Sequence, residues 1–88
     1  MIIGLVEVLS PDFISGWALD TSNPDRKLKI RASISGDVIA SAECETERLD
    51  VGKHYEVEGG NFGFLLSGLP AGCDLDGVMV EAGWRNQW

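Results

Sequence analysis

His54, Cys44 and Cys73 are the residues of this chain with nucleophilic or metal-ligating chemistry, and His54 is its only histidine. A zinc site of the His and Cys type needs more ligands than these residues supply at their spacings. A Cys/His nucleophile pair also needs an orienting third group and an oxyanion site, and the sequence marks neither. The acids offer a second chemistry. Asp20, Asn23, Asp25 and Asp37 are oxygen donors in turn-rich stretches, the donor type that calcium takes. Asp74-Leu75-Asp76-Gly77 matches the opening of a calcium loop, yet Val78 stands where a third oxygen ligand belongs. No glutamate closes that loop, and turn chemistry explains these acids without a metal. The glycines fall in turns rather than between a strand and a helix, so no phosphate-cradling loop is present. The expectation is a chain without catalytic centre, metal or cofactor.

Recognition chemistry is better represented. Trp17 offers a ring face suited to the apolar side of a sugar. Its small neighbours Gly16 and Ala18 suit close packing, so Trp17 is expected in the core, together with Phe64. Trp84 and Trp88 sit in a polar tail with Arg85, Asn86 and Gln87, the composition of an interface hot spot or a glycan subsite. The other reading of that tail is a segment folded back over a hydrophobic edge. Asn61 is a further amide available to a sugar. Arg48 and Asp50 are two apart and share a face of an extended segment; they are expected to form a structural ion pair.

The elements that must position these groups are strands. Ile2–Leu9 is apolar, with Glu7 on its wet side. Phe13–Leu19 follows, and Lys27–Ser35 shows the cleanest period of two, with Leu28, Ile30, Ala32 and Ile34 on one face. The pattern predicts a hairpin of these last two strands around Trp17, closed by Asn23-Pro24. Gly36-Asp37 is expected as a type II′ turn leading into Val38–Glu43. Cys44 to His54 reads as a connection between sheets, with a short turn of helix. Tyr55–Glu58, Phe62–Ser67 and Val78–Ala82 complete about seven strands at short spacing, separated by turn residues. That spacing predicts one all-β domain over residues 1–88, a small antiparallel β-sandwich of the immunoglobulin or jelly-roll kind, with 84–88 as a tail contacting a partner.

Eighty-eight residues suit one domain with a thin core. Seven Lys plus Arg against fourteen Asp plus Glu leave a net charge of −7, which argues against a nucleic acid or an anionic membrane as partner. The first residues lack the basic region of a signal peptide and meet an acid at Glu7. Cys44 and Cys73 allow one intrachain bridge, two free thiols or links to neighbouring chains, and reduced thiols are the default for an intracellular chain.

Ile14-Ser15-Gly16-Trp17-Ala18-Leu19-Asp20 with Asn23-Pro24, a strand ending in Gly36-Asp37, Arg48-Leu49-Asp50-Val51 and Gly63-Phe64 follow one another in a familiar order. The chain resembles a bacterial and phage β-sandwich module of the "GWA-x-D … R-x-D-V … GF" type, found beside glycosyltransferases and in surface and phage structural proteins. The likeness covers roughly Gly4 to Leu69. It implies an accessory part that binds or assembles rather than catalyses: a decoration, fibre-base or collar-type subunit of a virion or surface structure. The alternative is a carbohydrate-binding module for a cell-surface glycan. Expected partners are other protein subunits, in a homo- or hetero-oligomer, and the expected contacts are Met1–Leu9, Trp84 and Trp88.

Overall fold

The computed structural model describes residues 1–57, 60–72, 75–84 and 88. Among them are strands β1 (Ile2–Leu9), β2 (Phe13–Asp20), β3 (Lys29–Ile34), β4 (Asp37–Glu43), β5 (Gly63–Ser67) and β6 (Val78–Gly83), and one α-helix, α1 (Leu49–His54). They form two three-stranded antiparallel sheets, ordered β1-β2-β5 and β4-β3-β6. The chain is therefore mostly β, with six strands among the described residues rather than seven. Tyr55 and Glu56 lie in a turn, not a strand.

The hairpin expected of β2 and β3 does not form. β2 pairs with β1 and β5, whereas β3 pairs with β4 and β6. The segment between them is a crossing from one sheet to the other, and Asp20 turns it. The Asp20 carboxylate accepts from the Ser22 N–H at 3.0 Å and from Arg26 Nη1 at 3.2 Å, while its carbonyl accepts from the Asn23 N–H. These bonds replace the ladder that a hairpin would have supplied. The β3–β4 connection also differs from expectation. Ile34 pairs with Asp37, and the loop is Ser35-Gly36, both at positive φ (51° and 85°). Two positive φ values make a type I′ turn, whose twist matches that of the flanking strands.

Alternation along β2 decides where its side chains go. Ile14 and Ala18 join Leu28, Ile30, Ala32, Cys44, Phe64 and Leu66 in the core shared by the two sheets. Trp17 and Leu19 have the opposite parity and belong to a second cluster with Val51 of α1 and Phe62. Phe64 is thus a residue of the main core, as its strand predicts. Trp17 is not the filler between the layers: it is half-buried on the outer face of its sheet. The large fillers between the layers are Ile14, Leu28, Ile30 and Leu66, all nearly or completely buried. Gly16 permits the close approach of β1, because a Cβ there would lie 2.0 Å from the Leu5 carbonyl oxygen.

The split between faces is measurable in β5. Leu66 is fully buried and its neighbour Leu65 is 52% exposed. Leu66→Ala will cost about 2–5 kcal/mol in urea denaturation through lost transfer energy and a cavity, and Leu65→Ala less than about 1 kcal/mol.

Candidate functional site

β1 lies at the rim of its sheet and, among the described residues, pairs on one side only. The Met1 carbonyl accepts from the Thr21 N–H, and the Ala18 N–H turns away from β1 to the Phe62 carbonyl. Bonding in an antiparallel pair alternates, so Ile2, Gly4 and Val6 direct their backbone N–H and C=O to the open edge. Regular pairing with β2 is interrupted by a bulge between Val6 and Val8, which leaves Glu7 as the extra residue. Apolar side chains crowd this rim: Ile2, Leu5, Val6, Val8 and Leu9 are each 37–56% exposed. Beside it runs a hollow of about 300 Å³, where Ile2, Gly4 and Val6 face Val80 and Ala82 of β6. Soluble proteins ordinarily blunt such an edge with charge, proline or cover.

The second feature is a cleft built around Arg48, which immediately precedes α1. Its guanidinium donates from Nε and Nη2 to the two Asp50 oxygens, at 3.0 and 2.9 Å. It also donates from Nη1 and Nη2 to Glu7, the latter at 3.1 Å. One fork therefore ties the bulge of β1 to the first turn of α1. The expected ion pair of Arg48 and Asp50 forms, though with Asp50 in the first turn of α1 rather than on an extended segment, and Glu7 is the partner that sequence reasoning missed. Its only signal is that it is the sole acid in an apolar strand. Trp17, Val51, His54 and Tyr55 line the rest of this open cleft of about 400 Å³. The Trp17 and Tyr55 rings are tilted at 53° with centroids 5.6 Å apart, and His54 meets Tyr55 edge-on at 4.7 Å.

Of the described residues expected to make a glycan face, Trp84 and Asn61 both neighbour Arg26, whereas Trp88 neighbours Arg31. Trp84 is half-buried against the main core, with the Arg26 guanidinium 5.4 Å from its ring centroid. Asn61 is exposed in a shallow hollow with Arg26 and Lys27. Trp88 lies elsewhere, under the Arg31 guanidinium at 4.2 Å, and Arg31 also bonds Glu81 at 3.1 Å. Each indole thus carries a cation over its ring, from the β2–β3 crossing for Trp84 and from β3 for Trp88. Asn86 lies outside the described residues. So does Cys73, and with it any account of its pairing. Cys44 is a free, buried thiol. Among the described residues, no group of three or more His, Cys, Asp or Glu gathers to hold a metal ion. No described helix is long and apolar enough to cross a membrane.

Electrostatics follow from these contacts. Burial pushes the Cys44 thiol up to about 11, against a bond from the Ala18 backbone, which is the reverse of what a nucleophile or thiolate ligand requires. Burial also raises the Asp20 carboxyl, but the Ser22 N–H and neighbouring cations outweigh it and hold it below the usual carboxylate range. Hydrogen bonds from Arg48 hold Glu7 and Asp50 below that range too.

Comparison with protein-family models, curated proteins and solved structures returned no match.

Two outcomes follow from the burial of Cys44 and Asp20. In a Cys73→Ser background, Cys44 will resist a thiol reagent at about pH 8 until denaturant is added, because the thiolate fraction and access are both small. A carboxylate with a depressed folded pKa contributes stability above its unfolded value and loses it as pH falls through the folded one. Asp20→Asn will therefore be less stable than the wild type at neutral pH. The gap between the two denaturation curves will close below about pH 4, as Asp20 takes up its proton.

Proposed function

We propose that the chain is a non-catalytic assembly module that joins its partner through the β1 edge. The observation that carries this is β1 itself: a rim strand with outward backbone groups and five exposed apolar side chains in an otherwise strongly acidic chain. Such an edge accepts an added strand, whose backbone bonds give affinity while apolar side chains are removed from water. We read the paired sheets as a small β-sandwich of the immunoglobulin or jelly-roll kind. The order of the Gly16-Trp17-Ala18-Leu19-Asp20, Arg48-Leu49-Asp50-Val51 and Gly63-Phe64 motifs supports a place among the modules it resembles. The setting is then a decoration, fibre-base or collar-type subunit of a virion or surface structure.

A second reading, carbohydrate binding, is favoured by the Arg48 cleft rather than by the tail. Two ring faces stand beside carboxylates fixed by one guanidinium, a combination suited to stacking a sugar and accepting its hydroxyls. It predicts a glycan-array signal that Tyr55→Ala removes.

The assembly reading is tested in the native cell. An epitope-tagged chain will sediment from a gentle lysate in a complex heavier than the monomer. The Leu5→Lys/Val8→Lys variant, altered only at exposed rim positions, will move to the monomer fraction with its circular dichroism unchanged. A variant that stays in the complex contradicts the reading.

A further inference from the structure

We infer that the occupant of the β1 edge is a second copy of this chain, paired antiparallel, β1 to β1, about a two-fold axis at Gly4. The inference rests on the assembly reading and adds the partner and the register.

Charge selects the edge. The chain carries a net charge of −7, so a second copy approaching most of its surface meets like charge. Met1–Leu9 contains one acid, Glu7, and the Arg48 fork engages both of its oxygens. A two-fold contact uses the same patch on both copies, so the patch must be complementary to itself. An apolar strand whose one acid is held by Arg48, and whose neighbouring Met1 ammonium lies 3.5 Å from Asp20, meets that condition where an acidic face does not.

Geometry selects the register. Ile2, Gly4 and Val6 are the residues whose backbone groups point outward, and an antiparallel ladder joins outward residues to outward residues. The bulge at Glu7 ends the regular edge at Val6. The usable stretch is therefore Ile2–Val6, and its centre is Gly4. About that axis Ile2 faces Val6 of the second copy, Ile3 faces its Leu5, and Gly4 faces its Gly4. Every facing pair is apolar or glycine, and Glu7 falls outside the paired stretch. Moving the axis to Leu5 pairs only Gly4–Val6 of the regular edge, because the bulge stops the ladder at Val6 and Ile2 and Ile3 then find no partner in it. With the axis at Gly4 the two β1-β2-β5 sheets become one continuous sheet. The hollow beside Ile2 and Val6 then meets the same hollow of the second copy.

The test uses the purified chain. Sedimentation equilibrium from about 1 µM to about 1 mM will show mass rising toward two protomers. Val6→Pro removes an outward N–H without breaking a bond to β2, where an edge strand tolerates proline. It will weaken the dimer at least tenfold while circular dichroism and melting temperature stay near those of the wild type. Leu5→Lys, at an exposed side chain, serves the same purpose should Val6→Pro fail to fold. In a Cys73→Ser background, Ile3→Cys/Leu5→Cys will give an oxidised dimer on non-reducing electrophoresis, because opposed residues of a non-hydrogen-bonded pair bring their Cβ atoms within disulfide reach. Leu5→Cys alone will not. A wild type that stays monomeric overturns the two-fold pairing and leaves the assembly reading to the native-cell sedimentation. A dimer that neither edge variant weakens overturns both. A dimer that the edge variants abolish but Leu5→Cys alone cross-links moves the axis and overturns the Gly4 register.

Discussion

β2 is buried on both of its faces, and the arrangement of the chain answers to that constraint. Ile14 and Ala18 face the second sheet, while Trp17 and Leu19 face α1. A strand in a sheet with one wet face needs only one cover. This one needs two, and in a chain of eighty-eight residues the cover must come from the connections. The crossing after Asp20 brings β3 and β4 to the inner side. The segment after Cys44 returns as α1 over the outer side. Each connection is fixed by a polar group as well as by a buried apolar one: the first by the Asp20 carboxylate and Leu28, the second by the Arg48 fork and Val51. Both carboxylate systems lie below their ordinary range, which makes the two anchors sensitive to acid for the same reason.

Covering β2 leaves β1 uncovered. Among the described residues β1, β5, β4 and β6 stand at the rims of the two sheets, and β1 presents five exposed apolar side chains. β4, by contrast, carries Glu43, held by Lys27 at 3.5 Å on the wet side. The Arg48–Glu7 bond gives the one acid of the apolar β1 rim a cationic partner. One guanidinium thus closes the helix onto the sheet and pairs the one acid of β1. The fold and the proposed docking edge share that contact, so loss of Arg48 disturbs both at once.

Much of this was legible in the residues. The period of two in β3, the apolar run of β1 and the Phe64 strand gave elements whose bounds differ by no more than about two residues from those observed, as is usual at element ends. The Arg48–Asp50 pair was expected from an extended segment, whereas it is the start of α1 that brings the two groups together. The pairing of strands did not follow, because alternation states which residues share a face and not which strand lies alongside. Trp17 shows the cost. Its size and small neighbours mark it as a packing residue, yet parity with Ile14 and Ala18 sends it to the other face, under a helix only six residues long. The turn at Ser35-Gly36 was displaced by one residue for a related reason: register, not composition, decides which two residues leave the ladder.

The sequence by itself determined the β class, the strand faces, the acidity and the apolar character of Met1–Leu9, since these depend on residue type and local spacing. Only the tertiary structure decided that β2 and β3 part into different sheets, that Glu7 meets Arg48 across forty-one positions, and that β1 stands at a rim. Those are long-range contacts, and their energy depends on which surfaces finally meet rather than on any stretch of the chain considered alone.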